Sequence, residues 1–100
     1  MTEALAKILV ADDEPNLRRV LVTLLRRDGH EVVQASNGAE AIVAMSGDID
    51  VVITDIAMAG MNGMEVLKAV RSSKPDVEVI MVTGYPMIES AVEAMRLGAF

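Results

Sequence analysis

Three short segments of this chain are apolar on successive residues rather than on alternate ones. They are Ile8-Leu9-Val10 within Lys7–Ala11, Val51-Val52-Ile53 within Val51–Asp55, and Val79-Ile80-Met81-Val82 within 78–83. A strand with one wet face alternates apolar and polar side chains, so runs like these belong to strands buried on both faces, as in a parallel sheet covered by helices. Glu31–Ala35 is also strand-like, but Glu31 and Gln34 suit it to a sheet edge.

Helical spacing fills the intervals. Leu17, Val20, Leu21, Leu24 and Leu25 recur at three- and four-residue steps, which predicts one apolar helix face and leaves Arg18, Arg19 and Arg26 pointing outward. Ala41, Ile42 and Met45 mark a second helix, Met64, Leu67 and Val70 a third, and Ile88, Ala91, Val92 and Met95 a fourth. Pro15 and Pro86 suit first helical turns, Gly29 and Gly98 follow helix ends, and Asn37-Gly38 and Gly60 to Gly63 read as loops. The order is βαβαβαβα in one α/β domain. Right-handed crossovers make the strands parallel, and an edge-type second strand gives a doubly wound sheet of order 2-1-3-4. In such a sheet ligands bind beyond the carboxyl ends of the strands where the order reverses, here between strands 1 and 3.

Chemistry-bearing residues fall there. Strand 1 runs into Asp12-Asp13-Glu14 and strand 3 ends in Asp55, so carboxylates from neighbouring strands, about 4.8 Å apart, converge on one crevice. Their repulsion is relieved by a raised pKa on one carboxyl or by a divalent cation. With oxygen donors and no Cys in the chain, a hard ion such as Mg²⁺ is the natural candidate, with Ca²⁺ and Mn²⁺ as alternatives. A carboxylate beside such an ion can act as a nucleophile towards phosphorus, giving an aspartyl phosphate. Thr83, ending strand 4, would offer a hydroxyl to a phosphoryl oxygen. Taken singly, Asp12, Asp13 and Glu14 read as caps of the helix at Pro15, Asp55 as an Asx turn and Thr83 as a strand residue. Their convergence from separate strands favours a site.

His30, the single histidine, precedes the edge strand and reads as a structural or solvated loop residue. Met58, Met61 and Met64 read as loop anchors and core filling. Nine basic against fifteen acidic residues, a net charge of −6, argue against a nucleic-acid backbone as ligand. No stretch approaches the roughly 18 apolar residues of a membrane span, so a cytoplasmic protein is expected. A haloacid-dehalogenase-type phosphatase would carry a DxD pair where this chain has Glu14, and a dinucleotide site would need a glycine-rich loop after strand 1.

The segments Ile8 to Glu14, Asp55 with Met58-Ala59-Gly60-Met61-Asn62-Gly63, and Val82-Thr83-Gly84-Tyr85 resemble the signatures of response regulator receiver domains. The resemblance runs from Lys7 to Phe100, and is similar in particular to receivers of transcriptional regulators with the CheY-like, flavodoxin-like fold. It implies that Asp13 binds Mg²⁺ directly and Asp12 through water, that Asp55 is ligand and phosphoacceptor, and that the Ala57 backbone carbonyl completes the protein ligands. It implies a phosphohistidine donor on a sensor histidine kinase or histidine phosphotransfer protein, docking near Arg18 and Arg19, with Thr83 as the switch and no direct contact with nucleic acid or membrane. The domain would assist its own phosphotransfer and dephosphorylation without being a conventional enzyme; a phosphate-independent interaction module is the alternative.

Two departures stand out. Ala59 replaces the family's usual Pro, and the chain stops at Phe100. A receiver continues for roughly 20 residues through a fifth strand and helix. The Lys that ends that strand has no counterpart here. A C-terminally incomplete receiver over residues 1–100 is therefore expected, truncated or a fragment, or else a form that repairs its exposed strand 4 edge by homodimer pairing or swapping.

Overall fold

The computed structural model describes residues 5–55 and 63–82. Within them the chain alternates β1 (Lys7–Ala11), α1 (Pro15–Arg27), β2 (Glu31–Ala35), α2 (Gly38–Ala44), β3 (Val51–Asp55), α3 (Gly63–Ser73) and β4 (Glu78–Val82). The strands form one parallel sheet of order β2-β1-β3-β4. Ile8 lies beside Val32 on one side and Val51 on the other, and Ala11 beside Ala35 and Thr54. The consecutive apolar runs follow from this position. Ile8 and Val10 face α1 with Val22 and Val32, whereas Leu9 and Ala11 face α2 and α3 with Ala41, Val66, Leu67 and Val70. Both faces of β1 are thus buried, and the core is aliphatic.

Helix ends are set by local hydrogen bonds. Glu14 caps α1 by accepting from the Leu17 N–H at 2.8 Å, and Pro15 takes the first turn, where no N–H is needed. The helix closes at Gly29, whose φ of 95° suits a residue without a Cβ, as its N–H donates to the Arg26 carbonyl and that of His30 to Leu25. Asn37 caps α2 through its side-chain oxygen and the Glu40 N–H, 2.8 Å away. Gly38 is therefore the first residue of α2 and Gly63 the first of α3, where loops were expected. Turn-forming residues and helix starts share the same chemistry, so composition alone does not separate them.

The apolar face of α1 also differs from expectation. Val22 is the buried residue of this helix, with Leu21 and Leu25 partly buried beside it, whereas Leu17, Val20 and Leu24 are 37%, 54% and 50% exposed. The helix carries more apolar positions than its contact with the sheet covers, so periodicity alone overstates the buried stripe. The fourth helical pattern, Ile88 to Met95, lies outside the described residues, as do Pro86 and Gly98. No helix among the described residues is long and apolar enough to cross a membrane.

Candidate functional site

Where β1 ends, the Asp12 N–H still donates to the Ala35 carbonyl at 3.1 Å, so Asp12 is anchored as if the strand ran one residue further. Its side chain then turns the chain, because Oδ1 accepts from the Glu14 N–H at 2.8 Å in an Asx turn that leads into α1. Asp12 is 2% exposed, which for a carboxylate requires fixed polar partners or a cation. Asp13 next to it is exposed. Across the seam, Asp55 ends β3 and is half-buried. Asp12, Asp13 and Asp55 each present an oxygen such that all lie within 4.8 Å of one another.

The expected convergence of Asp12, Asp13 and Asp55 between strands 1 and 3 is therefore found. Glu14 takes the other reading, since its carboxylate is spent as the cap of α1. Thr83 and Ala57 lie outside the described residues. His30 precedes β2, at the rim opposite the carboxylates, and its Nδ1 has no hydrogen-bond partner among the described residues.

Two side chains that sequence reasoning did not place at the site hold its backbone. Arg18 does not point outward: it is half-buried and its Nη1 donates to the Asp12 carbonyl at 2.7 Å. Its helical spacing of four and seven residues from Val22 and Leu25 puts it on the sheet-facing stripe, a signal the leucine pattern masked. Arg19 remains exposed. Thr54, fully buried in β3, donates its hydroxyl to the Asp55 carbonyl at 3.1 Å. Beside this rim the Glu40 carboxylate accepts from both the N–H and the hydroxyl of Ser36. Those bonds, the hydroxyl's first, hold its pKa below the ordinary glutamate range, and the Arg18 charge acts in the same direction.

A donor set made only of carboxylate oxygens at this spacing fits a hard divalent cation, which removes the mutual repulsion of the three groups.

Comparison with known proteins decides the family. The sequence profile of the response regulator receiver domain matches residues 8–100. The chain belongs to the response regulator receiver domain family. Among curated relatives, this receiver domain is 44% identical over 99 residues to the regulatory protein AtoC of Escherichia coli K12, an alignment covering 97% of this chain and 21% of AtoC. The chain thus spans about a fifth of that relative's length. Among solved structures it resembles the response regulator TrrA of Thermotoga maritima, crystallised with Mg²⁺-BeF, with a TM-score of 0.83 and 40% identity over 91% of this chain and 80% of that one. A Burkholderia pseudomallei response regulator with a phosphorylated aspartic acid, calcium ion and citrate matches with a TM-score of 0.87 and 29% identity, over 94% of this chain and 56% of that one. The receiver is a signalling domain of two-component systems, and its sheet order is that of its relatives.

Proposed function

We propose that this receiver accepts a phosphoryl group on Asp55 from a phosphohistidine of a partner histidine kinase or phosphotransfer protein, with Mg²⁺ held by Asp12, Asp13 and Asp55. The observation that carries the proposal is the meeting of the three carboxylates within 4.8 Å at the carboxyl ends of adjacent strands. When bound, the cation supplies charge neutralisation, both for the carboxylates and for the phosphoryl oxygens.

Within this reading each residue has a defined task. An Asp55 carboxylate oxygen attacks phosphorus, the new O–P bond forms as the N–P bond of the phosphohistidine breaks, and the electron pair returns to the imidazole nitrogen. Asp12, immobilised by the Glu14 N–H and the Ala35 carbonyl, supplies an oxygen that is fixed in advance. Asp13 supplies one from the exposed side. The Ala57 carbonyl completes the protein ligands, and the Thr83 hydroxyl accepts the task of holding a phosphoryl oxygen as the switch. Exposed Arg19 belongs to the docking face for the kinase. Water later cleaves the acyl phosphate in the domain's own site, so the domain assists its own turnover while its output is a change of conformation. This donor places its action in the cytoplasm. The chain and an Asp55→Asn variant are incubated with Mg²⁺ and a small-molecule phosphodonor and weighed intact by mass spectrometry. Addition of one phosphoryl group to the parent only is expected; addition to both, or to neither, would overturn the assignment of Asp55.

A further inference from the structure

We infer that Arg18 is a positioning residue of the cation site, acting through its hydrogen bond to the Asp12 carbonyl. The inference rests on the proposed function and deepens it. The Asp12 carbonyl belongs to the peptide that joins Asp12 to Asp13, so whatever holds that oxygen sets the plane of the peptide and with it the direction in which Asp13 leaves the backbone. Asp12 is held at its N–H by the Ala35 carbonyl and at its carboxylate by the Glu14 N–H. The 2.7 Å bond from Arg18 Nη1 holds its carbonyl as well. Asp13 itself is exposed and lies between the end of β1 and the start of α1, outside any strand ladder. Arg18 couples the second carboxylate to the rigid body of α1, because its own stem lies on the stripe shared with Val22 and Leu25.

Charge and geometry make opposite predictions for its removal. A cation beside three carboxylates weakens their attraction for a metal ion, so deleting the charge alone should tighten binding. A positioning role predicts the reverse, since outer groups that orient a ligand set typically carry roughly tenfold in metal affinity. Mg²⁺ binding is measured by titration calorimetry on the parent, Arg18→Met and, as a control for net charge, Arg27→Met at the exposed far end of α1.

The expected result is an Arg18→Met dissociation constant about tenfold above that of the parent, with the phosphorylation rate restored at saturating Mg²⁺ and the Arg27 variant unchanged. Equal or tighter binding by folded Arg18→Met would overturn the inference. Should that variant not fold by circular dichroism, Arg18→Lys decides. A single ammonium holds the carbonyl less rigidly than a planar guanidinium, so affinity should fall with charge unchanged, and affinity equal to the parent's would overturn it. A parent that binds no Mg²⁺ would sink this inference together with the proposed function. A parent that binds Mg²⁺ and is phosphorylated on Asp55 isolates the failure to Arg18.

Discussion

Lys7 and Asp50 hold each other twice: the Lys7 N–H donates to Asp50 Oδ2 and the Asp50 N–H donates to the Lys7 carbonyl, both at 2.8 Å. This pair sits where β1 and β3 begin and secures the register that sets Ile8 beside Val51. Replacing Asp50 with Ala removes one of the two bonds, and a loss of about 1 kcal/mol is expected, read as a lower midpoint of urea unfolding. Because the pair lies at the opposite rim from the carboxylates, Mg²⁺ affinity should not change.

Glu40 makes stability depend on pH in a defined direction. Its bonds to Ser36, and then the Arg18 charge, depress its folded-state pKa. The stabilisation is complete above the unfolded value, about 4.3 for a glutamate, and is lost as pH falls through the lower folded value. Glu40→Gln should therefore flatten the decline of thermal stability in that acid window. Parallel declines in parent and variant would contradict the assignment.

Three carboxylates within 4.8 Å of one another are expected to oppose folding when no cation is present. Neutralising Asp13 by substitution with Asn should stabilise the metal-free protein by about 1 kcal/mol. The same change should shrink the gain from added Mg²⁺, which for the parent reaches about 2.7 kcal/mol at a hundredfold excess over Kd. Melting curves with chelator and with Mg²⁺ should cross in their order between parent and variant; an unchanged order would count against cation binding by Asp13.

Leu9 is fully buried on the interior strand β1, packed on the side of α2 and α3. Leu9→Ala should cost roughly 2–5 kcal/mol. In a small domain with an expected stability of about 5–15 kcal/mol, that is enough to bring unfolding within reach of mild denaturant. A loss below about 1 kcal/mol, taken as the midpoint shift multiplied by the denaturant slope, would mean that the cavity collapses.

The strands were legible because burial on both faces leaves an unmistakable run of aliphatic residues, and because Glu31 and Gln34 mark β2 as an edge. The carboxylates were legible for the same reason, since once β1 and β3 are neighbours Asp12, Asp13 and Asp55 must meet. Helix faces were less so. Leu17, Val20 and Leu24 carry the periodicity of a buried stripe yet stay exposed, and Arg18 on the true stripe reads as a surface charge. Asn37 and Gly38 have the composition of a turn and begin a helix, a distinction made by one hydrogen bond to the Glu40 N–H.

Synthesis proceeds in the wrong order for this sheet. β1 leaves the ribosome before its partners but lies between β2 and β3, and its union with β3 closes a loop of 43 residues from Lys7 to Asp50. Closing a loop of that length costs on the order of 3 kcal/mol in chain entropy. The same closure drives Asp12 and Asp13 against Asp55. The seam that closes this long loop is thus also the one along which the carboxylates meet, so a divalent ion bridging them would favour the closure itself.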